Sequence, residues 1–452
     1  MTSDPSGVNR DLTATQHFLF SKTPADRPRS LMDDAVLRPL PSGTDDPLRR
    51  DYPGLRANEV YAAWAAEKAA TTSHFTALAL RIDRSNRGQA DDLERYQRLR
   101  KAAADAIDKQ CAAAGGWWGL MTVDVFGIIF PGKDVASGLA ITKRLQEGLN
   151  STVGISLTVG LSAFPCLQFT PGEVLENARK ALNHALFLGP GGRACFDAVS
   201  LNISGDRYYD AGDIDGAIKE FRNALRMDKK NVNVLNSLGV CFGVRQNYPK
   251  ALTAFETALK INPEEILSLY NAGLVNLLMD RRDKALQFWL KAAPLGKDVF
   301  ELNFQTGKLL MEVDQPEKAL PLTQRAAELK PESALVQRFL GDTYLAQRLV
   351  DQAIAPYKKT LRLNPNDAHA LSGLGRCYEL KNENLDIALA FCQQSVEIKP
   401  DEGRFHMRLG RLLKKTGQYK QALIAFQKAE TLGEKAKQSI LDLEERCINR
   451  AS

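Results

Sequence analysis

Residues 232–265 read VNVLNSLGVCFGVRQNYPKALTAFETALKINPEE, and the pattern in this stretch returns along more than half of the chain. Its eighth residue, Gly239, has counterparts at Gly205, Gly273, Gly307, Gly341, Gly375 and Gly410. An alanine stands twelve or thirteen residues after each glycine, at Ala217, Ala251, Ala285, Ala319, Ala353, Ala388 and Ala422. A second small residue follows seven later, at Ala224, Ala258, Ala292, Ala326, Thr360, Ser395 and Ala429. Successive glycines lie 34 residues apart, except for one step of 35 from Gly375 to Gly410, where KNENLD carries an extra residue. Small side chains at these intervals let two helices of one unit cross closely, and let the second helix pack on the first helix of the next unit. The aromatics four residues after the first alanine (Phe221, Phe255, Trp289, Tyr357 and Phe426) are expected to fill the space between layers. Proline at Pro263, Pro331, Pro365 and Pro400 opens the turn into the next unit, where a missing N–H costs nothing.

Seven such units, starting near residues 198, 232, 266, 300, 334, 368 and 403, resemble the tetratricopeptide repeat (TPR) family. The segment GEKAKQSILDLEERCINR resembles the solvating helix that caps such arrays. The fourth unit departs most, with Thr323 at the aromatic position and Lys297 where proline is common. The resemblance implies an all-α superhelical solenoid over residues 198–436, a capping helix over 437–452, and a groove that binds a protein or peptide segment. Positions 2, 5, 9, 12 and 13 of each unit should face that groove. In units two and three these include Asn233, Asn236 and Tyr270, a mild apolar and amide surface. In units five to seven they include Arg338, Arg376, Arg404, Arg411 and Lys414. A groove that grades from apolar to basic suits an acidic or C-terminal carboxylate ligand. The plainer reading of the same charges is a set of solvated side chains on exposed helices.

The rest of the composition bounds the reading. At 452 residues the chain exceeds one ordinary core, since domains run to roughly 100–200 residues. Its hydrophobic share of 44% and charged share of 25% are those of a globular protein. A net charge of +6 over this length gives no global nucleic-acid signature, so no nucleic-acid partner is expected. The seven cysteines are scattered, without a CxxC pair, and read as reduced thiols rather than metal ligands or a disulfide framework. No run approaches the ~18 apolar residues that span a membrane, and MTSDPSGVNRDLTATQ lacks the pattern of a signal peptide. A cytoplasmic protein without a membrane partner is the expectation.

Residues 1–50 hold clusters such as PSGTDDP and short apolar islands, HFLF and LMDDAVL. They read as a largely disordered or loosely docked arm, with docking of the islands on a partner or on the chain's own surface as the alternative. Next, helix NEVYAAWAAEKAA, strand HFTALALRID and helix DDLERYQRLRKAAADAIDKQCAAA precede a hairpin of WGLMTV and VFGIIFP. Helix DVASGLAITKRLQEGL, strand GISLTVGLSAF, helix PGEVLENARKALNHALFL and strand RACFD complete the order αβαββαβαβ, an α+β sheet domain over residues 51–197.

This order and several motifs resemble the GGDEF domain of bacterial diguanylate cyclases. RDYPGL resembles the family's D-x-L-T-G-L, LALRID its D-I-D strand, LTVGLSAFP its S-I-G strand, ENARKALNHA its A-D-x-A-L-Y-x-A-K helix and GPGGRACF its G-R-N strand. TVDVF occupies the signature, at Thr122, Val123, Asp124, Val125 and Phe126. The resemblance implies an ancestry in which two divalent cations and GTP were held by carboxylates of the first strand and this hairpin. Here Arg81 stands at the first-strand ligand position, with Asp83 two residues on, and Val125 replaces the signature's second acid. Thr122 and Val123 replace glycines that admit a nucleotide. The guanine-reading motifs are absent from RSNRGQADDLERY, where Asn86 and Asp92 are the nearest candidates; Leu186 replaces a phosphate-contacting lysine, and Ala113 and Gly116 replace the inhibitory-site pair. Matched positions place Arg81 where its guanidinium would pair with Asp124 in place of a metal; the alternative is that Arg81 points to solvent and Asp124 only supports the hairpin turn. No catalytic residue, metal or cofactor is assigned.

His184 reads as a partly exposed helix residue, GPGG at residues 189–192 as a helix stop, and Trp117 and Trp118 as packing residues. The function implied is a non-catalytic signalling scaffold that grips a protein or peptide partner, with an acidic ligand suiting the basic end of the groove. The alternative is a nucleotide effector, in which Arg81, Arg84 and Arg87 attract the phosphates of GTP or cyclic di-GMP and alter partner binding. A face-to-face homodimer is compatible with the cyclase ancestry.

Overall fold

The computed structural model describes residue 18 and residues 46–83 and 92–448, the side chains of 92, 93 and 445–448 excepted. Arg84, Asn86, Arg87 and the side chain of Asp92 therefore lie outside the described residues, as does most of the N-terminal arm. The chain divides into two compact units, Met1–Pro263 and Glu264–Ser452.

The first unit is built on a five-stranded mixed sheet in the order β2-β3-β1-β4-β5. Its strands are β1 (Phe75–Ile82), β2 (Trp117–Leu120), β3 (Val125–Pro131), β4 (Leu157–Phe164) and β5 (Arg193–Cys195). Central β1 pairs antiparallel with both β3 and β4, and β5 runs parallel to β4. Strand alternation divides the core into two faces. Leu78, Leu80, Ile128 and Val159 face helices α2 (Asp92–Ala114) and α3 (Val135–Val153). Phe75, Ala77, Ala79 and Ile129 face α1 (Asn58–Ala70) and α4 (Val174–Leu186). Trp117 and Trp118 point to opposite faces, and each packs on an aromatic partner, Trp64 at 6.0 Å and Tyr52 at 5.1 Å between ring centroids. They are packing residues.

Two expectations need correction. The strand WGLMTV ends at Leu120, because Met121 N and Thr122 N both donate to Val125 O and close the turn. The arm does not run to residue 50 as a loose segment. Leu48 is buried, and Asp46 accepts two hydrogen bonds from the buried Arg100 guanidinium, at 2.8 and 2.7 Å. A buried arginine requires a carboxylate partner, which ties residues 46–50 to the domain.

The helices that follow begin where the 34-residue period places them: α5 (Ala198–Asp210) with α6 (Ile214–Met227), and α7 (Val232–Val244) with α8 (Tyr248–Ile261). Both pairs belong to the first unit. Phe169, Ala181 and Phe196 share a core with Leu201, Phe221 and Val234, so the change of sequence pattern at residue 198 is not a break in packing. Across this junction Lys180 donates to Glu220 at 2.9 Å, with side chains 10% and 7% exposed. Removing one partner of a buried pair strands the other charge at a cost of about 3–5 kcal/mol, whereas an apolar pair of similar volume is nearly neutral. Lys180→Met alone should therefore lower the urea midpoint of this unit strongly. The double variant Lys180→Met/Glu220→Leu should recover most of it.

The second unit contains α9 (Ile266–Leu278), α10 (Arg282–Ala292), α11 (Phe300–Glu312), α12 (Pro316–Leu329), α13 (Ala334–Ala346), α14 (Val350–Leu363), α15 (Ala368–Lys381), α16 (Leu385–Ile398), α17 (Gly403–Lys415), α18 (Tyr419–Thr431) and α19 (Lys437–Ile448). These are units three to seven and the capping helix. Each aromatic sits on the glycine of its own unit, and the expected bridging of layers is seen where Phe221 shares a core with Val234 and Tyr357 meets Gly373, both of the following unit. A Cβ on Gly239 would lie 2.5 Å from Phe255 Cε1, and one on Gly273 would lie 2.3 Å from Trp289 Nε1. Glycine and aromatic are thus one packing device, which lets the two helices of a unit close around a fully buried ring. In the fourth unit Thr323 takes the ring's place against Gly307.

Candidate functional site

The expected groove residues separate into two groups. Asn236 and Tyr270 are each 1% exposed, and the Tyr270 ring stacks on Trp289 at 5.8 Å, so neither side chain is open to a ligand. Asn233 is exposed. At the basic end, Arg376, Arg404 and Arg411 line one cavity of about 820 Å³ formed by units four to seven. Arg338 and Lys414 stand outside its lining, near Asp367 (3.8 Å) and near Asp442 of the capping helix (3.4 Å) respectively.

The cavity adds residues the register did not single out. Arg408 and Arg348 bring its arginines to five, beside Phe339, Phe405, His369 and Asp342. Arg376 pairs with Glu379 at 2.6 Å and Arg404 with Glu402 at 2.8 Å, while Arg408 donates to Ser372 Oγ at 2.9 Å. Among the described residues, Arg348 and Arg411 have neither an ion pair nor a side-chain hydrogen bond, and both are exposed. Arg348 sits at φ 60° in the turn between the two helices of its unit. The same turn position is Asp280, Asp314 and Asn382 in neighbouring units, residues that tolerate the left-handed region, whereas a long side chain is disfavoured there by about 1 kcal/mol. Gln246 of the second unit holds the same position at φ 56°, so departure from Asp or Asn does not by itself mark Arg348 in the sequence.

The electrostatics favour an anion. Desolvation holds the Asp342 carboxyl above the usual carboxylate range, although Tyr357 donates to it at 2.7 Å and the guanidinium groups of Arg338 and Arg408 oppose the shift. His369 is pushed down to about 4, first by burial and then by Arg338 and Lys399. Lys399 Nζ donates to its Nε2 at 3.3 Å, which leaves the ring neutral. With its folded pKa below the unfolded value, His369 takes up a proton only when pH falls toward 4. The positive charge of the cavity between pH 6 and 8 therefore rests on arginine alone, and His369 should add no pH dependence to binding of an acidic peptide across that window. A fall in affinity as pH rises from 6 to 7 would show that a protonated histidine contributes.

In the first unit, the hairpin places Thr122 and Val125 at 7% and 4% exposure, with Phe126 at 1% and Val123 half-buried. Asp124 accepts a hydrogen bond from Tyr96 Oη of α2 at 2.5 Å, a partner sequence reasoning did not identify. The β1–β3 register sets Arg81 opposite Val125, one residue from Asp124. Asp83 accepts from Ser156 Oγ (2.7 Å), Thr158 Oγ1 (2.5 Å) and Gly191 N (2.7 Å), and so anchors the loop ahead of β5. His184 is half-buried, with Nδ1 3.4 Å from Asp197. Burial pushes the thiols of Cys111, Cys241, Cys377 and Cys392 up to about 12, where they are poor nucleophiles. Among the described residues no group of three His, Cys, Asp or Glu side chains converges as metal ligands, and no helix is long and apolar enough to cross a membrane.

Paired helices repeating every 34 residues define a helical-repeat protein. Two family models, both described as tetratricopeptide repeat, match this part of the chain: one over residues 204–266, 304–368 and 342–403, the other over 403–432. These segments are tetratricopeptide repeats. Neither match falls on the sheet domain. Among solved structures, the chain is similar to YrrB, described as a TPR protein with an unusual peptide-binding site. It is 23% identical, over 44% of this chain and 100% of that one, with a TM-score of 0.40. It is also similar to the MamA protein (22% identity, 38% and 93% of the two chains, TM-score 0.33) and to PilF of Pseudomonas aeruginosa (18% identity, 48% and 97%, TM-score 0.38).

Proposed function

We propose that this protein is a non-catalytic cytoplasmic signalling adaptor, and that units five to seven hold an acidic segment of a protein partner. The observation that carries this reading is the cavity lined by five arginines, two of them without internal partners among the described residues. Guanidinium forks suit carboxylates of a peptide, and the Phe339 and Phe405 rings offer apolar surface beside them. A fluorescein-labelled glutamate-rich decapeptide, titrated by anisotropy, should bind the full chain saturably and more weakly as salt rises. Absence of saturable binding at low salt would refute the acidic-ligand reading.

The sheet domain, on this reading, is a degenerate GGDEF-like domain retained after its chemistry was lost. Its element order αβαββαβαβ supports the resemblance, and the full engagement of Asp83 in protein hydrogen bonds supports loss of a metal site. Pairing of Arg81 with Asp124 in place of a metal belongs to the same proposal. Incubation with GTP and Mg²⁺ should yield no cyclic di-GMP; its appearance would overturn the non-enzyme reading. Calorimetry with GTP and cyclic di-GMP separates the adaptor from a nucleotide effector, for which saturable micromolar binding is required.

A further inference from the structure

Phe18 belongs to the apolar island HFLF at residues 17–20, far in sequence from the repeats. It is nevertheless 7% exposed, and its ring rests on α7 at Gly243. A Cβ built on Gly243 would lie 2.3 Å from Phe18 Cζ, so the ring fills the space that any other residue's side chain would take. Glycine inside a helix is unfavourable relative to alanine. Here it creates a seat for an aromatic ring. Gly243 is the twelfth residue of the second unit, on the face of the unit's first helix that such arrays turn toward ligands. Beside it Phe242 is half-buried, with Arg222 and Lys250 each 5.8 Å from its ring centroid.

We propose that this face of the second repeat is a peptide-binding surface for an aromatic side chain, and that Phe18 of the chain's own N-terminal segment is its resident occupant. The burial of one ring holds a free peptide weakly. A tethered ring meets its seat at an effective concentration on the order of millimolar, which keeps even a weak site filled. An external partner that presents an aromatic residue in a short apolar run gains this surface only by displacing Phe18. The proposal does not depend on the arginine cavity, which lies in the other unit.

The test uses the full chain and a fluorescein-labelled peptide of residues 11–25, DLTATQHFLFSKTPA. The Phe18→Ala chain should bind this peptide at least tenfold more tightly than the unaltered chain, and adding Gly243→Leu should remove the binding. In parallel, trypsin should cleave after Lys22 at least tenfold faster in Phe18→Ala and in Gly243→Leu than in the unaltered chain, with helicity by circular dichroism unchanged. Equal peptide binding by the unaltered and Phe18→Ala chains, or binding by neither, overturns the proposal. So does a cleavage rate at Lys22 that rises on tenfold dilution, because that places Phe18 of a second copy in the seat.

Discussion

Exchanging Arg376, Arg404 and Arg411 together for glutamate is expected to remove binding of an acidic peptide, with an affinity loss of at least ~100-fold, or about 2.7 kcal/mol. A hydrogen bond to a charged group contributes about 1.5–3 kcal/mol when shielded, and three reversals also replace attraction with repulsion. The expectation is set below the sum of those terms for two reasons. Arg404 and Arg411 are exposed and screened, and Arg376 and Arg404 already have carboxylate partners in Glu379 and Glu402. Arg411, which has no such partner among the described residues, should give the largest single effect. The measurement is anisotropy of the labelled glutamate-rich peptide at two salt concentrations, with helicity as a control for folding. Undiminished affinity in the triple variant would mean that the cavity is not the binding site.

Gly160→Ala should have the largest effect on stability, about 4 kcal/mol or more in the first unit. The strand β4 crosses α4 so closely that a Cβ at this position would lie 1.9 Å from Leu182 N and 2.2 Å from Ala178 O. Both are backbone atoms, so no side-chain rotation relieves the clash, and helix and strand must separate. Gly148→Ala, in α3, meets nothing within 4 Å and should be neutral or slightly stabilising. Trp64, Trp117 and Trp118 report on the first unit and Trp289 on the second, so urea unfolding followed by fluorescence shows which unit is affected. A Gly160→Ala midpoint within error of the unaltered chain would show that β4 and α4 separate at little cost.

Much of the architecture was legible in the chain itself. The first helix of every unit begins at the residue the period assigns, from Ala198 to Gly403, because helix starts in a repeat inherit one spacing. Helix α1 occupies the stretch NEVYAAWAAEKAA without a residue's difference. The site was legible only in part. Arg376, Arg404 and Arg411 followed from register, but register alone treated Tyr270 as equivalent to them. Whether a groove-facing position is open depends on its neighbours, and the large Trp289 ring draws Tyr270 into the interior. Arg348 and Arg408 escaped because they lie at positions 15 and 6 of their units, off the expected face, and converge only through stacking of successive helices.

The sequence by itself determined the period, the helix pairs and the alternating strands, since each follows from the spacing of apolar and small residues along one stretch of chain. Tertiary structure alone decided where the compact units divide, at Pro263 and Glu264 rather than at the onset of the repeats. It also decided that Asp46, Asp83 and Lys180 are structural anchors, and that Phe18 has a seat on Gly243. The reason is the same in each case. Periodicity is a property of neighbours in sequence, whereas the pairing of a buried charge, or the filling of a space left by a missing Cβ, joins residues that only the folded chain brings together.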